Sequence, residues 1–173
     1  MSTSRMLRVK QLSYEDFRPY GTFAPVAPPA GKPLVGDEVI KFWPDAGGMI
    51  SLGPAAAGGQ VAVGICQVRW RPLLIDTCEF HTSTSEGILP LDGDIFLHVG
   101  PVTPDDQVPL ADLEVFFVPK GTFVVLKPGI WHHAPFAAEK GRTVNTQILL
   151  PPRTYANDCI VKKVDPPLSF TCD

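Results

Sequence analysis

Glu79 and His81 stand two residues apart, Glu86 follows beyond the turn-prone pair Ser83-Thr84, and Gly93 comes seven residues later. On an extended strand, side chains two apart face the same side. Glu79 and His81 are therefore expected to project together, with Cys78 and Phe80 turned to the opposite layer. Glu86 is expected to return on the neighbouring strand and face the same cavity. The only other clustered histidines lie in Lys127-Pro128-Gly129-Ile130-Trp131-His132-His133. His132, just past a proline–glycine turn, would close a fourth corner. His132 and His133 on one strand would point to opposite faces, so one of them at most is readily a ligand. Imidazole and carboxylate are donor types that zinc, nickel, iron or manganese accept. Glu79, His81, Glu86 and His132 thus form a candidate divalent-metal set. A lone Glu or His on a strand is ordinarily a solvated or hydrogen-bonded side chain, and His98 is read that way. The combination of four is what argues for a site.

Such a cluster needs a scaffold, and composition bounds it. The chain of 173 residues is read as one domain spanning 1–173, able to bury about 70% of its unfolded surface. Apolar residues make up 45% and charged residues 19%, with a net charge of −3. That is globular composition, and no Lys/Arg run exceeds Lys162-Lys163. A nucleic-acid or anionic-membrane partner is not expected. Residues 1–10 carry no apolar core of a secretory signal, and no stretch approaches the roughly 18 apolar residues of a spanning helix. Cys66, Cys78, Cys159 and Cys172 are scattered without a C-x-x-C pair and read as reduced thiols. A cytoplasmic protein is the expectation.

The scaffold itself reads as β. With 19 Pro and 15 Gly, most helices would be broken. Ser13 as N-cap, with Asp16 three residues on, predicts one short helix ending at Pro19 and anchored by Phe17 and Tyr20. Strands are predicted over 7–12, 39–43, 49–52, 61–70, 76–81, 88–91, 95–99, 114–118, 123–126, 143–150 and 158–164. Residues 24–33, 55–59 and 102–110 read as loops. Asp92-Gly93 between apolar runs signals a hairpin, and Lys127-Pro128-Gly129-Ile130 a type II turn. About ten short strands separated by regular turns point to an all-β sandwich or barrel.

These residues resemble the germin-type cupin pattern. Its first motif, H-x-H-x(3,4)-E-x(6)-G, reads here Glu79-x-His81-x(4)-Glu86-x(6)-Gly93, with the first His replaced by Glu. Its second motif, G-x(5)-P-x-G-x(2)-H-x(3)-N, appears as Gly121, Pro128, Gly129 and His132, displaced by one residue around the proline and lacking the terminal Asn. Within cupins the chain resembles the ureidoglycolate lyase family over nearly its whole length. The resemblance is carried by Phe17-Arg18-Pro19-Tyr20-Gly21, the Glu79/His81 pair, Ile88-Leu89-Pro90-Leu91-Asp92-Gly93, Gly129-Ile130-Trp131-His132-His133-Ala134-Pro135-Phe136 and Asn157-Asp158-Cys159. It implies a cupin-type double-stranded β-helix, or jelly-roll barrel, with one or two short helices. It also implies a homodimer that splits ureidoglycolate, a small carboxylate, into glyoxylate and urea in allantoin breakdown. Nickel is the metal usually associated with the family, and a metal-free form is the alternative. Glu86 departs from the Gln expected in typical members, which brings the chain nearer the metal-binding cupin pattern and leaves the exact substrate open.

For that reaction the resemblance implies four catalytic candidates. Glu79 or Glu86, whichever is not bound to metal, would act as general base. His133 or Lys127 would donate a proton or hold the substrate carboxylate. Arg69 and Arg71 are alternative clamps, with exposed strand-end charges as the plainer reading. Trp131 reads first as barrel packing. Two other functions keep the same fold: a metal-dependent dioxygenase or isomerase, and a non-catalytic cupin that binds a small carboxylate.

Overall fold

The computed structural model describes residues 6–52 and 59–172. The readings made for residues 1–5 and for most of the 55–59 loop fall outside them. In chain order the elements begin with β1 (Met6–Gln11), α1 (Tyr14–Phe17), β2 (Gly21–Pro25), β3 (Val35–Gly36), β4 (Lys41–Phe42) and β5 (Ala62–Arg69). They continue through β6 (Leu74–Phe80), β7 (Glu86–Pro90), β8 (Ile95–Val99), β9 (Glu114–Val118) and β10 (Thr122–Leu126). The last are β11 (Phe136–Ala137), β12 (Thr143–Leu150), α2 (Thr154–Asn157) and β13 (Ile160–Thr171). The result is an all-β jelly-roll of cupin type with two single-turn helices. No helix among the described residues is long and apolar enough to cross a membrane.

Two large sheets build the fold, beside the two-stranded β3-β4 pair. One runs β11-β8-β9-β1-β13-β6 and the other β2-β10-β7-β12-β5. Between them lies a core that includes Phe17, Ile88, Leu97, Phe116, Leu126 and Ile148. The six-stranded sheet has a second apolar face, where Leu7, Cys78, Phe80, Val115, Trp131 and Phe170 pack together. Every residue of β8 is consequently buried, and the alternation expected of a one-sided strand is lost. Residues 131–132 link the two ends of this sheet by backbone bridges, Trp131 to Gly100 beyond β8 and His132 to Glu79 on β6. That seam brings the histidine segment against the strand carrying Glu79.

Local chemistry sets the elements as expected in several places. Ser13 Oγ accepts the Asp16 amide at 3.1 Å and caps α1, while Phe17 sits in the core with its ring edge-on to Phe116 at 5.1 Å. In the 127–130 turn, Ile130 N–H donates to Lys127 C=O, and Gly129 has φ +80°, the left-handed third position of a type II turn.

Elsewhere the structure corrects the reading. Asp92-Gly93 does not close a hairpin, because β7 and β8 lie in different sheets. The segment is instead a crossing between layers, held by Asn145, whose backbone N–H and side-chain amide donate to the Asp92 carboxylate. Gly93 has no positive φ; a Cβ there would stand 2.8 Å from Val144, so close packing explains the glycine. Residues 39–43 pair only at β4 with β3. Residues 49–52 form no strand, and Ser51 C=O merely accepts the Ser85 amide. β2 is a strand the sequence reading does not predict; it pairs with β10, and its last two residues fall in the 24–33 stretch read as loop. β13 runs past 164, and its register against β6 shifts between Lys163 and Leu168, where Pro166 and Pro167 supply no amide to the ladder.

Candidate metal and catalytic site

β6 delivers Glu79 at its end, with His81 just beyond, and β7 begins at Glu86. The backbone of Glu79 exchanges both hydrogen bonds with His132, at 2.6 and 2.8 Å, and His81 C=O accepts the Gly129 amide at 2.7 Å. Two turns are thereby tied to one strand end. At the centre, Glu86 Oε2 lies 3.0 Å from His81 Nε2 and 2.8 Å from His132 Nε2, all three side chains being buried. His81 Nδ1 donates to Asp158 C=O at 2.6 Å, and His132 Nδ1 donates to Ile130 C=O at 2.8 Å. A carbonyl only accepts, so both rings carry their proton on Nδ1. In the neutral tautomer each Nε2 would then aim a lone pair at a carboxylate.

That arrangement requires positive charge between the groups. Two Nε2 protons supply it, and so does one divalent cation taken by the lone pairs. Burial alone would raise the pKa of Glu86, but the charges and hydrogen bonds of His132 and His81 outweigh it and hold it at about 2. For His132 burial works against the charged form, and Glu86 prevails, raising its pKa. The residues fit a divalent ion. Donor atoms of Glu79, His81 and His132 lie within 4.8 Å of one another, and Glu86 touches both imidazoles. Carbonyl partners on the far ring nitrogens are what metal-binding histidines ordinarily have.

The cluster opens on a cavity of about 140 Å³ whose lining includes Glu79, Glu86, His133, Cys66, Ile148 and Tyr155. Among the described residues no Lys or Arg lines it. A larger depression of about 710 Å³, lined by residues such as Gln11, Gly93, Phe117, Lys120 and Arg142, contains none of the candidate ligand or catalytic residues. Convergent chemistry, not size, marks the site. Among the described residues Glu79 has one side-chain hydrogen-bond partner, the Cys159 thiol at 3.5 Å. Burial first, then the Glu79 carboxylate, pushes that thiol up to about 12, so it stays a neutral donor.

Of the residues singled out by sequence, Glu79, His81, Glu86 and His132 come together and His133 joins them at the cavity wall. His133 is half-buried, and its burial lowers its pKa. Lys127 is not brought in: its Nζ donates to the Arg18 and Pro19 carbonyls. Arg71 donates to the Pro135 and Ala134 carbonyls and lies 3.9 Å over the Phe136 ring, so it holds the cavity wall. Arg69 stays exposed at the end of β5. Trp131 packs against Phe80 with centroids 4.4 Å apart and donates to Thr103 Oγ1.

Two contributors went unassigned in the sequence. Asp158 accepts four hydrogen bonds from the amides and hydroxyls of Thr82 and Ser83, fixing the turn between His81 and Glu86. Burial opposes, but those bonds lower its pKa. Tyr155 sets its ring edge-on to His81 at 6.0 Å. Asp158 stood in the Asn157-Asp158-Cys159 resemblance, but spacing gave no sign of its partners 76 and 75 residues away.

Fold and site together define a cupin-type jelly-roll protein with a buried imidazole–carboxylate centre. A family model described as ureidoglycolate lyase matches residues 4–169, and the chain belongs to that family. No curated protein matches the chain. Among solved structures the chain is similar to RmlC from Streptococcus suis, described in complex with dTDP-D-xylose. The identity is 16%, the match covers 74% of this chain and 69% of that one, and the TM-score is 0.37.

Proposed function

We propose that the protein is a carbon–nitrogen lyase that cleaves ureidoglycolate to glyoxylate and urea. The observation that carries the reading is the division of labour between the two buried carboxylates. Glu86 is pinned between two imidazoles at 2.8 and 3.0 Å, whereas among the described residues Glu79 hydrogen-bonds a thiol alone, at 3.5 Å, and lines the cavity. Family membership supports the substrate class.

The substrate is a carbinolamide, and little chemistry is needed to split it. Its hydroxyl loses a proton, the C–O bond becomes the carbonyl of glyoxylate, and the C–N pair leaves on the urea nitrogen, which takes a proton. Glu79 is suited to both transfers, accepting from the hydroxyl and returning to the nitrogen, so that no proton is consumed. Glu86, with a pKa of about 2, is a poor base at neutral pH. Its role is to hold His81 and His132.

A divalent cation would be held by His81, His132 and Glu86, whose carboxylate touches both imidazoles. Glu79, whose donor atom lies within 4.8 Å of those of both imidazoles, would either join them or stand beside the ion as the base. When bound, it would supply Lewis acidity that lowers the hydroxyl pKa and draws in an anionic substrate. That attraction fits a cavity with two carboxylates and, among the described residues, no Lys or Arg in its wall. His133 is positioned to orient the substrate carboxylate, and Arg71 keeps the 134–135 wall in place. The test is elemental analysis of the purified protein, followed by glyoxylate detection on adding ureidoglycolate. Release above the spontaneous rate is expected; release at that rate would remove the lyase reading.

A further inference from the structure

The wall of the candidate catalytic cavity is mostly apolar or carboxylate. Among the described residues, three of its side chains carry a hydrogen to donate: the Cys66 thiol, the His133 imidazole and the Tyr155 hydroxyl. A thiol is a weak donor and a phenol a strong one. An oxygen-rich anion entering this cavity therefore finds few donors, and Tyr155 is one of the two strong ones.

The chain holds Tyr155 in place with some care. It sits on α2, a single turn anchored at both ends. Thr154 is buried, and its Oγ1 donates to Pro151 C=O at 2.8 Å. Its own carbonyl accepts the Asp158 amide, and the Asp158 side chain grips the 82–83 turn. Just before the helix, Arg153 takes φ +63°, a left-handed conformation that costs a non-glycine residue. That turn sets Tyr155 over the cavity. Packing does not account for the side chain: a tyrosine that serves the core buries its ring, whereas Tyr155 is 61% exposed. Its hydroxyl is nevertheless the end turned inward. Burial first, then the charges of Glu86 and Glu79, raise the hydroxyl pKa, so it remains an O–H. Neither carboxylate takes that hydrogen among the described residues, since Glu86 Oε2 holds the two imidazoles and Glu79 the Cys159 thiol.

We propose that the Tyr155 hydroxyl contacts the substrate, donating a hydrogen bond to an oxygen of the anion bound in this cavity. The inference rests on the lyase reading for the identity of that anion, and its test separates the two. Glyoxylate release from ureidoglycolate is measured for wild type, Tyr155→Phe and Tyr155→Leu. Calorimetry measures their binding of carbamoylglycine, which lacks the substrate hydroxyl and so is not split. In Tyr155→Phe, kcat/KM and carbamoylglycine affinity are each expected to fall by about 10- to 100-fold. Tyr155→Leu should lose no more. Wild-type values in Tyr155→Phe, with a loss confined to Tyr155→Leu, would assign the residue to its ring contact with His81 and overturn the proposal. Unchanged rates and affinities in both variants overturn it too, and leave the lyase reading standing. Glyoxylate release at the spontaneous rate, with carbamoylglycine bound more weakly by Tyr155→Phe than by wild type, retains the donor and removes the reaction. Wild-type protein that neither releases glyoxylate nor binds carbamoylglycine removes both.

Discussion

Three histidines among the described residues are almost equally buried: His81 at 2%, His98 at 1% and His132 at 3% exposure. Their chemistry nevertheless diverges. His98 stands against the Phe136 ring, with Nε2 3.6 Å from the Cys78 thiol and Nδ1 without a partner. Burial drives its pKa down to about 3, and the same burial pushes Cys78 up to about 12. Both groups are neutral and inert at physiological pH. His132 suffers the same desolvation, yet its pKa is raised because Glu86 is in contact. Burial removes reactivity from a histidine, and a buried carboxylate restores it.

The largest effect expected from breaking this contrast lies in the two glutamates. Glu79→Gln keeps the shape and removes the proposed base, so kcat should fall by about 10²- to 10⁴-fold with the metal content of the protein unaltered. Glu86→Gln should lose metal affinity by about 10- to 100-fold. It should also move His132 toward the His98 condition, its titration in NMR falling below the ordinary histidine value. Equal metal content in the two variants, with equal loss of turnover, would erase the division of labour between them.

Asp158 tests the support of that centre. Asp158→Ala removes four hydrogen bonds from the 82–83 turn but leaves the backbone carbonyl that holds His81 Nδ1. Metal affinity is expected to weaken by about tenfold, measured by competition with a chelator. An unchanged affinity would mean that the turn is set by the β6 and β7 ends alone.

Much of this was legible in the sequence because it depended on neighbours a few residues apart. Ser13 and Asp16 define their cap locally, and the Pro128-Gly129 turn fixes its own φ. The two-residue period places Glu79 and His81 together. The Asp92-Gly93 reading failed for the complementary reason: the same dipeptide serves a hairpin or a crossing between sheets, and only the pairing of β7 with β10 and β12 decides. Lys127 belonged to the right turn, but the Arg18 and Pro19 carbonyls that capture it lie 109 and 108 residues away. Asp158 is likewise defined by partners that sequence spacing does not reveal. Local geometry was readable; capture across the fold was not.

The inert histidine offers the smallest and cleanest test. The groups facing His98 are the Cys78 thiol and the Phe136 ring, and His133, His132 and Arg71 nearby add to the effect of burial in disfavouring its charged form. Its folded pKa of about 3 lies below the ordinary 6.5, so between those values the unfolded chain binds a proton that the folded chain refuses. Stability must then fall as pH drops from about 6.5 toward 3, by an amount on the order of a few kcal/mol. His98→Phe, or His98→Leu should the larger ring strain the core, removes that proton and the unpartnered Nδ1. Urea unfolding across this range should show a shallower acid slope than wild type, with the proposed glyoxylate release unchanged from that of wild type. Glu86 and Asp158, whose lowered pKa values also make stability fall in acid, are present in both proteins and cancel in the difference. Parallel curves would show that His98 is not buried neutral, and the contrast with His132 would then rest on something other than Glu86.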